Sequence, residues 1–102
     1  MKNRLEFDSE LRSFLGVPNV YFQPPENIKL KYPCIIYHLR NINSLYADNI
    51  AYKNMKGYEV TIICKDPDNN LVEEFLEQFE YASFDRFFVN DNLNHYTFVV
   101  FF

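Results

Sequence analysis

Tryptophan is absent from this chain, and glycine and cysteine occur only twice each in 102 residues. So little glycine leaves no Gly-rich loop to cradle a phosphate, and no Gly-x-Ser-x-Gly elbow presents a nucleophilic serine. Two cysteines read as reduced thiols rather than a disulfide framework. Met1-Lys2-Asn3-Arg4-Leu5-Glu6 carries early positive charge with no apolar segment behind it, so no signal peptide is expected. The longest apolar run, Phe98-Val99-Val100-Phe101-Phe102, falls far short of the roughly 20 residues that span a bilayer. Basic residues are also few. Ten Lys and Arg face fourteen Asp and Glu, for a net charge of −4, which argues against sequence-specific nucleic-acid binding. The length fits one domain, residues 1–102, with no room for two cores.

Aromatic side chains are what the chain has in excess. Eight Tyr and eleven Phe make 19% of it, within a hydrophobic fraction of 48% that excludes a disordered chain. Charge is unevenly spread. Residues 1–57 carry eight basic against five acidic residues, and residues 58–102 carry two against nine, so the halves stand at +3 and −7. Unlike halves can attract copies of the chain head to tail.

The pattern predicts an α+β domain in the order α-β-β-β-α-β-β, a mainly antiparallel sheet packed with two helices. The first helix is expected over about 8–15, with Asp8 at its N-cap, Leu11, Phe14 and Leu15 on one face and Gly16 as the C-cap, and with residues 1–7 either extending it or forming an arm. A short strand at 20–22 stops at Pro24-Pro25. Two strong strands follow, over 33–42 and 57–65. Ile35, Tyr37 and Leu39 face inward on the first, and Tyr58, Val60, Ile62 and Cys64 on the second. The long polar connection between them, 43–56, is of a length that is usually functional or mobile. Asn70 and Glu73 resemble a capping box opening a second helix. Leu71, Val72, Phe75, Leu76 and Phe79 form its apolar stripe, opposite Glu73, Glu74, Glu77 and Glu80. A terminal hairpin, 84–89 and 95–102, turns through 90–94.

No constellation demands catalysis. His38 and His95 stand alone, without a partner at metal-ligand spacing. Cys34 and Cys64 are expected on opposite faces of adjacent strands, which disfavours a disulfide. The Glu-x-Lys of a nuclease-like core is broken by Glu59-Val60-Thr61. No catalytic, cofactor or metal residue is therefore assigned. What needs an explanation is surplus apolar surface, since the last strand is apolar on both faces.

In order along the chain, Val20-Tyr21-Phe22-Gln23-Pro24-Pro25-Glu26, Tyr32-Pro33-Cys34-Ile35-Ile36-Tyr37, Lys56-Gly57-Tyr58-Glu59-Val60-Thr61-Ile62, the acidic amphipathic helix and the terminal aromatic strand resemble the tail terminator or tail completion proteins of long-tailed bacteriophages, also called tail-to-head joining proteins. The resemblance implies a non-enzymatic virion component, assembled in the bacterial cytoplasm. It implies a ring, commonly a hexamer, that caps the tail tube protein, ends tube growth and meets the connector or stopper at the head. A ring needs a heterologous interface. For that interface the expected residues are Glu73, Glu74, Glu77 and Glu80 against Lys53 and Lys56 of a neighbour, with Phe101. The loop residues Tyr46, Asn49, Tyr52 and Met55 are expected to meet the tube or lumen. The alternatives are another neck or adaptor subunit, and a small intracellular ligand-binding domain or enzyme with a pocket of aromatics around His38.

Overall fold

A computed structural model describes residues 3–41 and 56–102. The elements are α1 (Arg4–Leu15), β1 (Val20–Phe22), β2 (Cys34–Asn41), β3 (Gly57–Cys64), α2 (Leu71–Gln78), β4 (Ala82–Asn90) and β5 (Leu93–Phe101). They form a five-stranded mixed sheet in the order β1-β2-β3-β5-β4. Only β1 and β2 pair in parallel; the other pairings are antiparallel. The expected α+β class and element order are found.

Both helices lie on one face of the sheet. Alternation on β2 and β3 directs Ile35, Tyr37, Tyr58, Val60, Ile62 and Cys64 into the core between sheet and helices, as expected. Phe7 and Leu11 of α1 are fully buried there, as is Phe75 of α2. The α1 side chain Phe7 sits among aromatic rings from four places in the chain: Tyr37 at 5.5 Å between centroids, Tyr58 at 4.7 Å, Phe79 at 5.8 Å and Phe102 at 4.8 Å. On the α2 side, Phe75 stacks on Phe98 at 4.3 Å and on Phe79 at 4.5 Å. The aromatic surplus is thus largely core, and the described residues leave no buried side-chain nitrogen or oxygen without a hydrogen-bond partner.

At the start of α1 the residues before Asp8 extend the helix, one of the two expected arrangements, so the cap is not Asp8. The helix begins at Arg4, capped by Asn3, whose Oδ1 accepts from the Glu6 N–H at 2.9 Å. Starting there adds the turn that carries Phe7 over the sheet, four residues before Leu11. Asp8, expected as the cap, lies inside the helix. Its Oδ2 accepts from the Tyr37 hydroxyl at 2.6 Å, and its Oδ1 from Arg12 Nε. Arg12 also donates from Nη1 to the Pro18 carbonyl at 3.0 Å and from Nη2 to the Val20 carbonyl at 3.3 Å. One carboxylate and one guanidinium thereby fix α1 to β1 and β2. Burial foremost, and then the Asp8 hydrogen bond, push the Tyr37 hydroxyl well above the usual tyrosine range. Gly16 closes the helix with φ 81°, as expected.

The second helix starts after Asn70, as expected, but without the expected side-chain capping bond. Asn70 makes no side-chain cap bond; the Asn69 Oδ1 instead accepts from Leu71 N–H at 3.0 Å. Of the predicted stripe, Phe75 and Phe79 are buried and Leu71 and Val72 half-buried, while Leu76 is exposed. The terminal hairpin turns on two residues, Asp91 and Asn92, rather than the five expected. Both have positive φ, 52° and 61°, the combination that matches the twist of the flanking strands.

Replacing Phe7 with Ala is expected to cost about 3–5 kcal/mol in chemical denaturation, because four aromatic neighbours line the cavity it leaves. Asp8→Ala is expected to cost about 2 kcal/mol in the same assay, by removing an acceptor shared between Tyr37 and Arg12. A loss below about 0.5 kcal/mol in Asp8→Ala would show that the α1 anchor contributes nothing net.

Candidate assembly surface

The sheet has two free edges, and they are chemically unlike. At the β1 edge the strand is three residues long, flanked by Pro18 and Pro24. The Val20 N–H donates to the Pro18 carbonyl at 2.9 Å, and Arg12 caps the Val20 carbonyl. At Val20 that edge is therefore closed by the chain's own groups, and it is too short to offer a long pairing surface.

At the other edge stands β4, nine residues long and exposed from Ser83 to Asn90. It contains neither Lys nor Pro, two common devices for blunting an edge. Phe84 is 42% exposed, Phe87 49%, Phe88 38% and Val89 58%. A bulge at Asp85 breaks the alternation: Phe84 lies opposite Phe98 while Arg86 lies opposite Thr97. The inserted residue brings Phe84 and Phe87 onto the same face, the one that carries the helices. There Phe84 meets Phe98 at 5.5 Å and Phe87 meets Tyr96 at 5.1 Å. Phe88 points to the opposite face and stacks on His95 at 4.5 Å.

That opposite, helix-free face carries a polar row. His38 Nε2 lies 3.2 Å from Glu59 Oε2; Arg86 Nη1 lies 3.9 Å from Glu59 Oε1 and 2.6 Å from Asp85 Oδ2. All four side chains are partly exposed to water, so each pair contributes only about 0–1 kcal/mol. Nearby, His38 and Ile36 border a shallow cleft under the segment 23–30.

The expected site residues are placed as follows. Glu73, Glu74 and Glu77 are exposed along α2, whereas Glu80, expected on the same helical face, is exposed in the turn beyond the helix end at Gln78; none of the four pairs with a basic group among the described residues. Lys56 is exposed, and its N–H and carbonyl exchange 3.0 Å bonds with Phe102. Phe101 is half-buried on β5, opposite Gly57. Lys53, Tyr46, Asn49, Tyr52 and Met55 lie outside the described residues. The last strand, apolar on both faces, calls for cover by the domain itself or by a neighbouring subunit; β5 is largely covered within the chain, and the uncovered aromatics sit on β4. The signal was the sequence Phe84-Asp85-Arg86-Phe87-Phe88-Val89, whose spacing makes sense as a strand only with a bulge.

No protein-family model matches the chain, and no solved structure matches it. Among curated proteins it is similar to dynein axonemal heavy chain 3 of Mus musculus, with 32% identity over 65 residues, 62% of this chain. The chain spans 2% of that protein's length. So small a share of the longer protein shows no common family.

Both cysteines are free and buried. Cys34 lies opposite Ile63, so its neighbour in sequence, Cys64, turns to the other face, toward the core. Burial pushes the Cys34 thiol up to about 11 and raises Cys64 as well. Among the described residues no cluster of three His, Cys, Asp or Glu could hold a metal ion, and no helix is long and apolar enough to cross a membrane. At pH 8, a thiol raised from 9.0 to about 11 holds on the order of 100-fold less thiolate. Iodoacetamide is therefore expected to label Cys34 at least that much more slowly in the native protein than in denaturant. Equal rates in the two states would refute its burial.

Proposed function

We propose that this chain is a structural, non-enzymatic assembly subunit of the tail-terminator kind, forming a hexameric ring that caps a phage tail tube and joins it to the head connector. The observation that carries the reading is the separation of charge in space. Exposed Lys29, Lys31 and Arg40 belong to the β1–β2 side of the sheet. The exposed carboxylates of Glu73, Glu74 and Glu77 belong to α2, which packs on β5 and β4, and Glu80 follows in the turn after it. One chain thus carries two unlike faces, and a closed ring of identical copies needs two unlike faces. Exposed ion pairs of this kind orient copies more than they bind them, so apolar burial must supply most of the association energy.

In this reading the acidic face of α2 meets Lys56 of the next copy, together with Lys53. The partners are further copies of itself, a tail tube protein and a connector protein. The location is the tail-to-head junction of the virion.

The native mass of the purified chain, measured across concentration and salt, tests the ring. Six copies, or a multiple of six, that dissociate as salt rises would support it. Lys53→Glu with Lys56→Glu is expected to dissociate the ring at low salt. A mass of one or two copies under every condition would overturn spontaneous ring formation, and a ring indifferent to both charge reversals would overturn the pairing.

A further inference from the structure

The open β4 edge has a sequence that reads as complementary to itself. From Phe84 to Phe87 the order is aromatic, acidic, basic, aromatic. Turned antiparallel against an identical strand, it sets Phe84 opposite Phe87, and Asp85 opposite Arg86, twice over. We propose that two copies of the chain pair their β4 edges in this register about a two-fold axis, joining two five-stranded sheets into one of ten strands.

The backbone supports the same register independently. The two-residue turn makes Asn90 and Leu93 the closing bonded pair of the hairpin. Bonded positions on β4 therefore alternate back through Phe88 to Arg86. Past the bulge the alternation resumes, in agreement with the bond from Phe101 N–H to the Tyr81 carbonyl at 3.1 Å. The intervening residues Ala82, Phe84, Phe87 and Val89 turn their N–H and carbonyl groups to the open edge. In the proposed register these four meet one another: Phe84 with Phe87, and Ala82 with Val89. The bulge puts two residues between Phe84 and Phe87 on each strand, so the bulges face each other across the axis and the register holds.

Side chains agree with the backbone. The bulge places Phe84 and Phe87 on the helix-bearing face, so the cross-strand aromatic pairs extend the existing core and cover the surface left exposed. Asp85 and Arg86 already contact each other within one strand, which places both on the opposite face, where each meets the other's counterpart in the second copy. The contact is isologous and ends at two copies, since the β1 edge that further growth would need is closed by Arg12 and Pro18. It is separate from the ring contact: it yields a dimer without a ring, and two joined rings with one.

Reversing one charge at a time tests the register. Sedimentation equilibrium on the full chain is run in the Lys53→Glu, Lys56→Glu background, which removes the proposed ring contact. Salt is kept near 0.15 M, where a Debye length of about 8 Å screens the α2 glutamates. The parent chain is expected to be dimeric. Asp85→Arg alone places four cations at the axis and Arg86→Asp alone four anions, and each is expected to weaken dimerisation at least about tenfold. An equimolar mixture of the two is expected to form a heterodimer of near-parent affinity, since each Arg then faces an Asp. The double variant D85R/R86D restores the parent pattern within one chain and is expected to dimerise. Restored association in the mixture also shows that both single variants are folded. A monomeric parent, single variants that dimerise like the parent, or a mixture that does not associate would each overturn the pairing. The ring reading is untouched by those results, as its failure would leave the heterodimer in place.

Discussion

The packing of Phe7 against four other aromatic rings is the contact on which the remaining structure depends. Its neighbours come from β2, β3, the residue that ends α2 and the C-terminal residue. No two of those segments are adjacent in the chain, so the contact is what holds helices, central strands and C-terminus in one core. Flat rings at mixed tilts fill the space between a helix and a twisted sheet, each burying a large area at little cost in side-chain entropy. The Tyr37–Asp8–Arg12 chain of hydrogen bonds lies directly beside Phe7 and sets the angle at which α1 meets the sheet.

That same anchor determines which edge of the sheet is open. Arg12 reaches past Asp8 to the carbonyls of Pro18 and Val20 and occupies the backbone of β1. Among the described residues no equivalent group reaches β4, where the chain exposes four large apolar side chains along one strand. Scattered apolar residues are common on a folded surface, whereas a run of them along an unpaired edge is the surface that the proposed pairing would cover. The two candidate contacts, charged faces for a head-to-tail ring and a self-complementary edge for a pair, call on different physics. The first is weakened by salt; the second depends on backbone register and aromatic burial.

Much of the fold was legible in the residues because its signals are local. Period-two alternation identified the core faces of β2 and β3, Gly16 marked the end of α1 through its positive φ, and Pro24-Pro25 stopped β1. Capping was less legible. Asn3 and Asp8 are both good caps by type, and only the demand that Phe7 face the sheet selects the first. The acidic face of α2 was readable from helical spacing, whereas the open edge was not. A strand's position at an edge is a property of the strand order β1-β2-β3-β5-β4, which no local pattern encodes.

The sequence by itself determined the α+β class, the order of elements, the faces of the central strands and the segregation of charge between its halves, because each follows from side-chain periodicity and composition. Tertiary structure alone decided that β4 is an edge, that the Asp85 bulge turns Phe84 and Phe87 to one face, and that Arg12 closes the opposite edge. The physical reason is common to all three. Each depends on which backbone hydrogen bonds remain unmade after the sheet has assembled, and that is settled by contacts between segments distant in the chain.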